Sequence, residues 1–440
     1  MKNRLSILSL VKRKECRVMS NVVKIKGGVP LIGDVTINGS KNAISAILPA
    51  ACLAKPGSHS VIKNVPDISD IETHCAILKE IGITASFDRE HHTLTLSGSV
   101  EQVSLSETNA PKIRASNLYL GALLAIKGEV HMPFCGGDQI GDRPLDIHFS
   151  IFHKFKINTE IKDGHINCLA TEFPLKAATV YLRYPSVGAT ENALLIASLA
   201  EGTSYIYNAA CEPEITDLAI TLNNMGAQIH GAGTPIIRVT GVSELGSISH
   251  EVIPDRLEYC TFLMAFACTH GKGRILGGIP EHSISVLQTL IDSGVSIHFE
   301  DGITYVDATC DTYNPINISA LPYPGLPTDV QPLLAVFATL CKGTSVIQDS
   351  VFKNRFGYAK EFSKMGISSL HLYDHLCING PQQFKAAHVK GTDIRAASSL
   401  VLAALCATSE TTLTGYSHVA RGYENFVRKL HSLGAHIDLY

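Results

Sequence analysis

The pattern that decides the fold first appears in the stretch KNAISAILPAACLAKPG, residues 41–57. Two polar residues open an apolar run that ends at Leu53, and Pro56-Gly57 forms a turn behind it. The same features return at intervals of roughly 70 residues, which indicates an internal repeat. Five further runs of this kind open at Arg114, Ser186, Asp255, Thr328 and Arg395.

A second mark recurs at a matching offset, where an amphipathic helical pattern ends in glycine and a short strand pattern follows. Glycine suits this place because the residue after a helix often takes a positive φ. The second repeat departs from the pattern and reads Lys154-Phe155-Lys156. The glycines that carry the mark are Gly82, Gly226, Gly294, Gly366 and Gly434.

These marks predict an α/β protein: a two-domain inverted α/β barrel built from six repeated βαβαββ-like units, three per domain. The helix that opens each unit is apolar nearly all round, as helices enclosed by sheets are. We place the first domain at residues 41–253, with a mobile catalytic loop near 133–143. The second domain comprises residues 22–40 plus 254–440.

The N-terminal region precedes the first repeat. The strand expected from Val22 to Lys26 has no partner in the first unit, so we expect it to complete the second domain. The chain would then cross between the domains twice. Residues 1–21 are expected to form a disordered extension, with the true start at Met1 or Met19.

Composition limits the classes of function. The chain has 440 residues, 45% of them hydrophobic, and a formal net charge of -3. This charge gives no general attraction to nucleic acid or to a membrane surface. The 12 cysteines form no CxxC pair and show no zinc spacing, which favours reduced thiols, no bound metal and a cytoplasmic location.

Cations recur at the starts of the repeated helices, where free backbone N–H groups already favour anions. If the two domains face each other, these side chains meet in one cleft suited to a phosphorylated, carboxylated substrate and a nucleotide diphosphate. The alternative for any single arginine is an ordinary surface residue. The helix starts carry Lys41, Arg114, Arg256 and Arg395, and other loops add Arg143, Arg355 and Arg421.

Two carboxylates are candidates for proton transfer. Asp138 follows Gly136-Gly137, which permit a mobile loop, and Asp329 lies at a helix start. The alternative for Asp329 is a simple helix cap, and Asp142 and Asp255 compete on composition alone.

Five motifs, in order, resemble those of the UDP-N-acetylglucosamine 1-carboxyvinyltransferase family of enolpyruvyl transferases. The resemblance runs from about Val22 to the C-terminus. The motifs are Gly39-Ser40-Lys41-Asn42-Ala43, residues 140–148 (IGDRPLDIH), residues 185–190 (PSVGAT), residues 322–329 (PYPGLPTD) and Arg421-Gly422-Tyr423-Glu424.

The resemblance implies enolpyruvyl transfer from phosphoenolpyruvate to the 3-hydroxyl of UDP-N-acetylglucosamine, the first committed step of peptidoglycan synthesis, with its consequences for cell shape and division. It implies no cofactor and no obligate protein partner. Phosphoenolpyruvate contacts are implied for Lys41, Arg143 and Arg421, with Arg395 nearby, and Asp329 would accept the hydroxyl proton. The implied nucleotide-sugar contacts are Asn42, Arg114, Arg143, Pro144, Leu145, Asp146, Ile147, Ser186, Val187, Gly188, Asp329 and Val351.

One departure from the family matters for inhibition. The family usually carries cysteine as the general acid in the loop, and Asp138 stands there instead. We expect retained activity and resistance to the thiol-alkylating epoxide fosfomycin. Cys135 replaces a usual proline and is the remaining source of thiol reactivity, and Tyr184 stands where some members carry lysine, which puts one nucleotide contact in doubt.

Two other interpretations stay open on sequence alone. The related shikimate-pathway enolpyruvyl transferase is disfavoured because its first motif usually continues Ser-Lys-Ser, whereas this chain has Ser40-Lys41-Asn42. A non-catalytic UDP-sugar-binding protein is supported only by the loss of the usual loop cysteine.

Overall fold

The computed structural model describes residues 21–138, 140–141, 143–353 and 355–440. Apart from Asn21, the predicted N-terminal extension lies outside the described residues, and so does Met19. Asp142, one of the alternative proton-transfer candidates, also lies outside them.

The described residues form helices of two kinds, one enclosed and one amphipathic. Their bounds are α1 (Lys41–Ala50), α2 (Ser69–Glu80), α3 (Leu118–Lys127), α4 (Asp146–Lys154), α5 (Val187–Ala197), α6 (Pro213–Asn224), α7 (Arg256–Cys268), α8 (Ile284–Ser293), α9 (Gln331–Ala338), α10 (Tyr358–Lys364), α11 (Ile394–Cys406), α12 (Ser417–Ala420) and α13 (Phe426–Ser432).

The strands are short and are distributed over the whole described chain. Their bounds are β1 (Val22–Lys26), β2 (Ile32–Thr36), β3 (His59–Lys63), β4 (Ile83–Asp88), β5 (Thr93–Gly98), β6 (Glu129–Pro133), β7 (Ile157–Lys162), β8 (His165–Ala170), β9 (Thr179–Tyr181), β10 (Thr203–Tyr207), β11 (Gln228–His230), β12 (Ile236–Thr240), β13 (Ser249–Glu251), β14 (Lys272–Leu276), β15 (Ser296–Glu300), β16 (Ile303–Asp307), β17 (Asn317–Ala320), β18 (Gly343–Asp349), β19 (Leu370–Leu372), β20 (His375–Gly380), β21 (His388–Lys390), β22 (Glu410–Thr414) and β23 (His436–Leu439).

The strands of the described ranges form six sheets, one for each repeated unit. In a typical sheet, such as β17-β18-β20-β19, a parallel pair is extended by an antiparallel hairpin. The sheet β6-β8-β7 has three strands, and an isolated parallel bridge between Ser104 and His131 stands in place of a fourth. The other sheets have the orders β21-β22-β1-β23, β11-β12-β10-β9, β13-β3-β5-β4 and β15-β16-β14-β2.

The helices that open the units lie inside these sheets. Every residue of α7 is buried, and so is every residue of α9. Apolar side chains on all faces of a helix are stable only where neighbouring elements cover them. The two-domain α/β architecture of six repeated units predicted from the sequence is therefore confirmed.

The buried apolar side chains divide into two clusters. One cluster extends from Ala43 to Val252, and the other combines residues 23–37 with residues 257–437. The domain boundaries proposed from the sequence, near residues 40 and 254, stay a prediction.

Strand β1 lies in the sheet of the last unit, between β22 and β23. In that position it occupies the place that β20 holds in the preceding sheet. The two chain segments that join the clusters lie side by side, with Ser40 N–H donating to the Ile253 carbonyl at 2.7 Å and Asp255 N–H donating to the Asn38 carbonyl at 2.8 Å.

The residues that follow the amphipathic helices adopt the left-handed conformation expected of them. Gly82, Gly226, Gly294, Gly366 and Gly434 all have a positive φ. In the second unit, where glycine is missing, Lys156 takes the same conformation with φ 61°. The backbone conformation therefore repeats even where the residue type does not.

In the described ranges, no helix combines the length and the apolar character needed to cross a membrane.

Candidate active site

A cavity of about 520 Å³ opens between the two clusters, a volume typical of small-molecule sites. The starts of five repeated helices and the segment just ahead of the sixth, α9, line it. They contribute Lys41, Arg114, Ser186, Arg256, Asp329 and Arg395. The side chains that the repeat pattern predicted to converge therefore line one cavity.

In two of the six units, the repeated helix does not begin at the residue that the sequence predicts. A single 3-10 turn, Arg114–Asn117, precedes α3. Helix α9 begins at Gln331, two residues after Asp329, with Pro332 in the first turn, where its missing N–H costs nothing.

Lys41, Asp70 and Arg421 form an ion-pair cluster on one wall of the cavity. Lys41 Nζ lies 2.8 Å from Asp70 Oδ2, and Arg421 Nε lies 3.0 Å from Asp70 Oδ1. Burial alone would raise the pKa of Asp70, but the two cations hold it below its usual value. The buried carboxylate therefore neutralises two cations that the sequence assigned to anion binding.

Asp138 reaches across the cavity from its loop to the second cluster. Its Oδ1 lies 2.6 Å from Arg421 Nη1, and its Oδ2 accepts the backbone N–H of Ile394 at 3.0 Å. His418 Nδ1 is 3.5 Å from the same carboxylate. Asp138 thus occupies the anion-binding position formed by an arginine and the N-terminus of α11.

The two glycines before Asp138 bring the loop backbone against the segment ahead of α3. A Cβ on Gly136 would lie 1.7 Å from the Pro111 carbonyl oxygen, and a Cβ on Gly137 would lie 2.9 Å from the Arg114 Cβ. Close approach therefore requires glycine at both positions. The mobility predicted for residues 133–143 stays a prediction.

Asp329 lies between two arginines rather than on a helix terminus. Arg355 Nη2 donates to Asp329 Oδ1 at 2.7 Å, and Arg395 Nε lies 3.6 Å from it. Burial alone would raise the pKa of Asp329, yet these guanidinium groups hold it well below its ordinary value. No side chain caps α9, so the cap interpretation of Asp329 is wrong.

Asp255 has the capping role instead. Its Oδ1 accepts the N–H groups of Leu257 and Glu258, and its Oδ2 accepts the N–H of Lys41 at 3.1 Å. One carboxylate thereby joins the starts of α1 and α7. With both oxygens engaged by backbone groups, Asp255 is poorly placed to transfer a proton.

Arg143 is a cation whose charge is not balanced by a neighbouring ion pair among the described residues. Its guanidinium lies 6.0 Å from the Phe352 ring, while its carbonyl oxygen accepts from Arg114 Nη2 at 2.5 Å. Burial and the nearby Arg114 and Arg355 lower the pKa of Arg143. Crowded cations of this kind favour binding of a multiply charged anion.

Cys135 lies beside this group of arginines. Its Sγ accepts from Arg114 Nη1 at 3.1 Å, and the side chain is buried. Burial raises the pKa of the Cys135 thiol despite the neighbouring Arg114 and Arg143. Because the thiolate is the reactive form of cysteine, this position is a weak nucleophile.

Most of the residues implied to contact the nucleotide sugar line the same cavity. Leu145 is the exception, since its side chain is buried in the first apolar cluster. Tyr184 also lines the cavity, at the position that raised doubt about one contact. The cavity-lining residues of this set are Asn42, Arg114, Arg143, Pro144, Asp146, Ile147, Ser186, Val187, Gly188, Asp329 and Val351.

Sequence reasoning missed four carboxylates in the cavity wall: Asp70, Glu191, Glu212 and Glu214. Asp70 lies in the first turn of α2, so the helix-start criterion that selected Lys41 would have selected it if applied to the amphipathic helices. Glu191 is buried inside α5, where burial and the neighbouring Glu214 and Glu212 raise its pKa to about 8. Its neutral form follows from tertiary neighbours, and no local pattern indicates it.

The described residues contain no group of three or more histidine, cysteine, aspartate or glutamate side chains arranged to hold a metal ion.

This arrangement of two α/β domains, with helix starts and arginines around one cleft, fits a class of group-transfer enzymes. The chain belongs to the EPSP synthase (3-phosphoshikimate 1-carboxyvinyltransferase) family, whose model matches residues 25–430. It is a transferase.

Two relatives with assigned names are similar to this chain over nearly its whole length. A UDP-N-acetylglucosamine 1-carboxyvinyltransferase 1 of Staphylococcus epidermidis is 39% identical over 422 residues, which cover 94% of this chain and 98% of that protein. A protein of the same name from Carboxydothermus hydrogenoformans is 39% identical over 416 residues, with 94% and 97% covered.

Solved structures share the fold. The enolpyruvyl transferase NikO from Streptomyces tendae superposes with a TM-score of 0.86 at 26% identity, covering 95% of this chain and 98% of that one. The EPSP synthase of Acinetobacter baumannii gives a TM-score of 0.73 at 18% identity, covering 95% and 99%. At 18% identity, the similarity to this EPSP synthase shows a shared fold and carries no conclusion about function.

Proposed function

We propose that this protein transfers the enolpyruvyl group of phosphoenolpyruvate to the 3-hydroxyl of UDP-N-acetylglucosamine and releases phosphate. This reaction is the first committed step of peptidoglycan precursor synthesis. The observation that carries the proposal is the cavity lined by the starts of five repeated helices, by the segment just ahead of α9, and by Arg143, Arg355 and Arg421. The relatives at 39% identity bear the name of this activity.

The two walls of the cavity suit the two substrates. Lys41 and Arg421, together with the N-terminus of α11, provide positive charge for the phosphate and carboxylate of phosphoenolpyruvate. Arg114, together with the start of α5, provides it for the diphosphate of the nucleotide sugar. Arg143 is assigned contacts with both substrates. Asp70 balances the first pair of cations until the substrate arrives.

The reaction proceeds by addition and then elimination. A proton is added to the methylene carbon of phosphoenolpyruvate, and the sugar 3-hydroxyl attacks the carbon that bears the phosphate. The hydroxyl loses its proton to Asp329, which is held as a carboxylate by Arg355 and Arg395. Loss of a proton from the methyl carbon and of phosphate then restores the double bond.

Asp138 is proposed to supply the proton in the addition step. In this structure it pairs with Arg421, so phosphoenolpyruvate must displace it. Negative charge beside a carboxyl group favours the neutral form that can donate a proton. General acid catalysis of this kind contributes about 10²–10⁴-fold.

The carboxyl group at position 138 also supports a proposal about inhibition. An epoxide that alkylates a thiolate finds no thiol at this position, and Cys135 is buried with a raised pKa. Resistance to fosfomycin is therefore proposed as a consequence of Asp138.

The deciding experiment measures phosphate release from phosphoenolpyruvate with UDP-N-acetylglucosamine, for the wild type and for Asp138→Ala. Release by the wild type and near loss in the variant support the proposal. A parallel reaction with shikimate 3-phosphate tests the other branch of the family. Release with that acceptor alone would overturn the acceptor assignment, and tight UDP-sugar binding without any release would favour a non-catalytic binding protein.

A further inference from the structure

His148 is a buried histidine in the wall of the cavity that the proposed mechanism does not use. It is the third residue of α4, and only 5% of its surface is exposed. Its ring lies against the first turn of α5, where a Cβ on Gly188 would be 3.2 Å from His148 Cε1 and 3.5 Å from Nε2. The ring therefore fills the space that glycine leaves at the start of α5.

Asn192 of α5 determines which ring nitrogen carries the proton. Its Oδ1 accepts the N–H of Gly121 at 2.8 Å, and its Nδ2 donates to the Asn117 carbonyl at 3.2 Å. With the amide oriented by these two bonds, Nδ2 is also the donor to His148 Nδ1 at 2.8 Å. His148 Nδ1 is therefore an acceptor, and the proton of the neutral ring is on Nε2. The Asn117 side-chain amide, which lies 3.4 Å from Nε2, must then present its oxygen to that N–H.

The neutral form is strongly favoured at this position. Burial, reinforced by the positive charge of Arg114, lowers the pKa of His148 to about 3. Protonation would remove the acceptor that Asn192 uses. The bond between α4 and α5 is thus maintained at any pH near neutrality.

The bonded group spans three elements that line the proposed nucleotide half of the cavity. Asn117 precedes α3 and Gly121 lies within it, His148 belongs to α4, and Asn192 belongs to α5. The imidazole lies against the first turn of α5, and both that turn and the segment from Pro144 to Ile147 line the cavity.

We propose that His148 is a positioning residue for the nucleotide sugar. Its neutral ring accepts from Asn192, holds the start of α5 against α4, and directs Nε2–H toward the side-chain amide of Asn117 in the cavity wall. The identity of the ligand rests on the proposed function. Phosphoenolpyruvate binds on the opposite wall in that proposal, so the two substrates should respond differently when His148 is changed.

The test compares His148→Ala, His148→Asn and His148→Gln with the wild type. Kinetic constants for both substrates come from phosphate release, and UDP-N-acetylglucosamine binding is measured separately by calorimetry. His153→Ala is the matched control, because His153 is an exposed histidine on the same helix.

His148→Ala is expected to weaken UDP-N-acetylglucosamine about ten- to a hundredfold, because small displacements of positioning groups have large effects. The KM for phosphoenolpyruvate should change by less than about threefold. Asparagine places an oxygen near the position of Nδ1 and should restore most of the affinity. Glutamine places its amide near the Nε2 position instead, so His148→Gln should not restore the affinity. The control variant His153→Ala should bind both substrates as the wild type does.

Unchanged UDP-sugar binding in His148→Ala would overturn the inference. Equal losses for both substrates, with asparagine no better than glutamine, would do the same and indicate a general packing role. If alanine prevents folding, the comparison of asparagine with glutamine still decides. A wild type that binds the UDP sugar but releases no phosphate contradicts the proposed function, while the calorimetric comparison continues to test His148.

Discussion

The carboxylate of Asp138 lies 2.6 Å from Nη1 of Arg421, although the two residues are 283 positions apart in the chain. The contact crosses the cavity between the two apolar clusters. It places a negatively charged side chain on a cation assigned to substrate binding. In the proposed function, phosphoenolpyruvate and Asp138 therefore compete for the same guanidinium group.

This contact leads to a prediction about epoxide inhibition. Asp138→Cys is expected to keep substantial phosphate release and to become sensitive to fosfomycin, because a thiol replaces the carboxyl group beside Arg421. Time-dependent inactivation and a mass increase equal to the inhibitor would demonstrate the adduct. The double variant Asp138→Cys, Cys135→Ser is the control, and loss of inactivation there would mean that Cys135 is the reactive thiol.

Asp70 gives a prediction about anion binding. Asp70→Asn is expected to lower the melting temperature of the free protein, because Lys41 and Arg421 lose their shared counter-ion. Phosphate should then raise the melting temperature more than it does in the wild type, since a ligand that binds the folded state stabilises it. Differential scanning fluorimetry with a phosphate series measures both effects.

The pH dependence of this variant has a definite sign. The folded-state pKa of Asp70 is below its usual value of 3.8, so its contribution to stability is present above that pH and is lost as the pH falls through the lowered pKa. The stability difference between Asp70→Asn and the wild type should therefore shrink in strong acid. A difference that grows on acidification would contradict the assignment.

The raised pKa of Glu191 leads to the opposite dependence of protein stability on pH. Its pKa is raised from 4.5 to about 8 in the folded protein, so stability is fully present below about pH 4.5 and is lost as the pH rises through 8. Glu191→Gln cannot ionise, so its stability relative to the wild type should rise by about 1.4 kcal/mol per pH unit between pH 4.5 and pH 8 and stay level above that. Urea unfolding of both proteins across this range measures the difference, and a constant offset would show that Glu191 does not titrate there.

The left-handed backbone conformation of Lys156 leads to the prediction that one substitution there stabilises the protein. Its φ of 61° is a conformation that glycine adopts without steric cost, so Lys156→Gly should stabilise the protein by about 0.5–1 kcal/mol. Lys154→Gly is the matched control, because Lys154 is the last residue of α4 and glycine is unfavourable in a helix. Denaturant unfolding should move the two midpoints in opposite directions, and a shared loss would mean that the Lys156 side chain itself is stabilising.

The repeated architecture was predictable because its signals are local. A helix that is apolar on every side, a glycine behind an amphipathic helix, and a cation at a helix start can each be recognised within a short window of sequence. Lys156 shows the limit of such signals, since the backbone conformation repeats at a position where the residue type does not.

The sequence by itself therefore determined the six units, the enclosed helices, and the helix starts that bring Lys41, Arg114 and Arg395 to the cavity. Only the tertiary structure decided which charges meet: Asp70 is 351 positions from Arg421, and Asp138 reaches the N-terminus of a helix in the other half of the fold. It also decided that Glu191 is neutral and that Asp255 caps two helices. The physical reason is that helix formation depends on neighbours along the chain, whereas ion pairing and the pKa of a buried group depend on charges that only packing brings within a few ångströms.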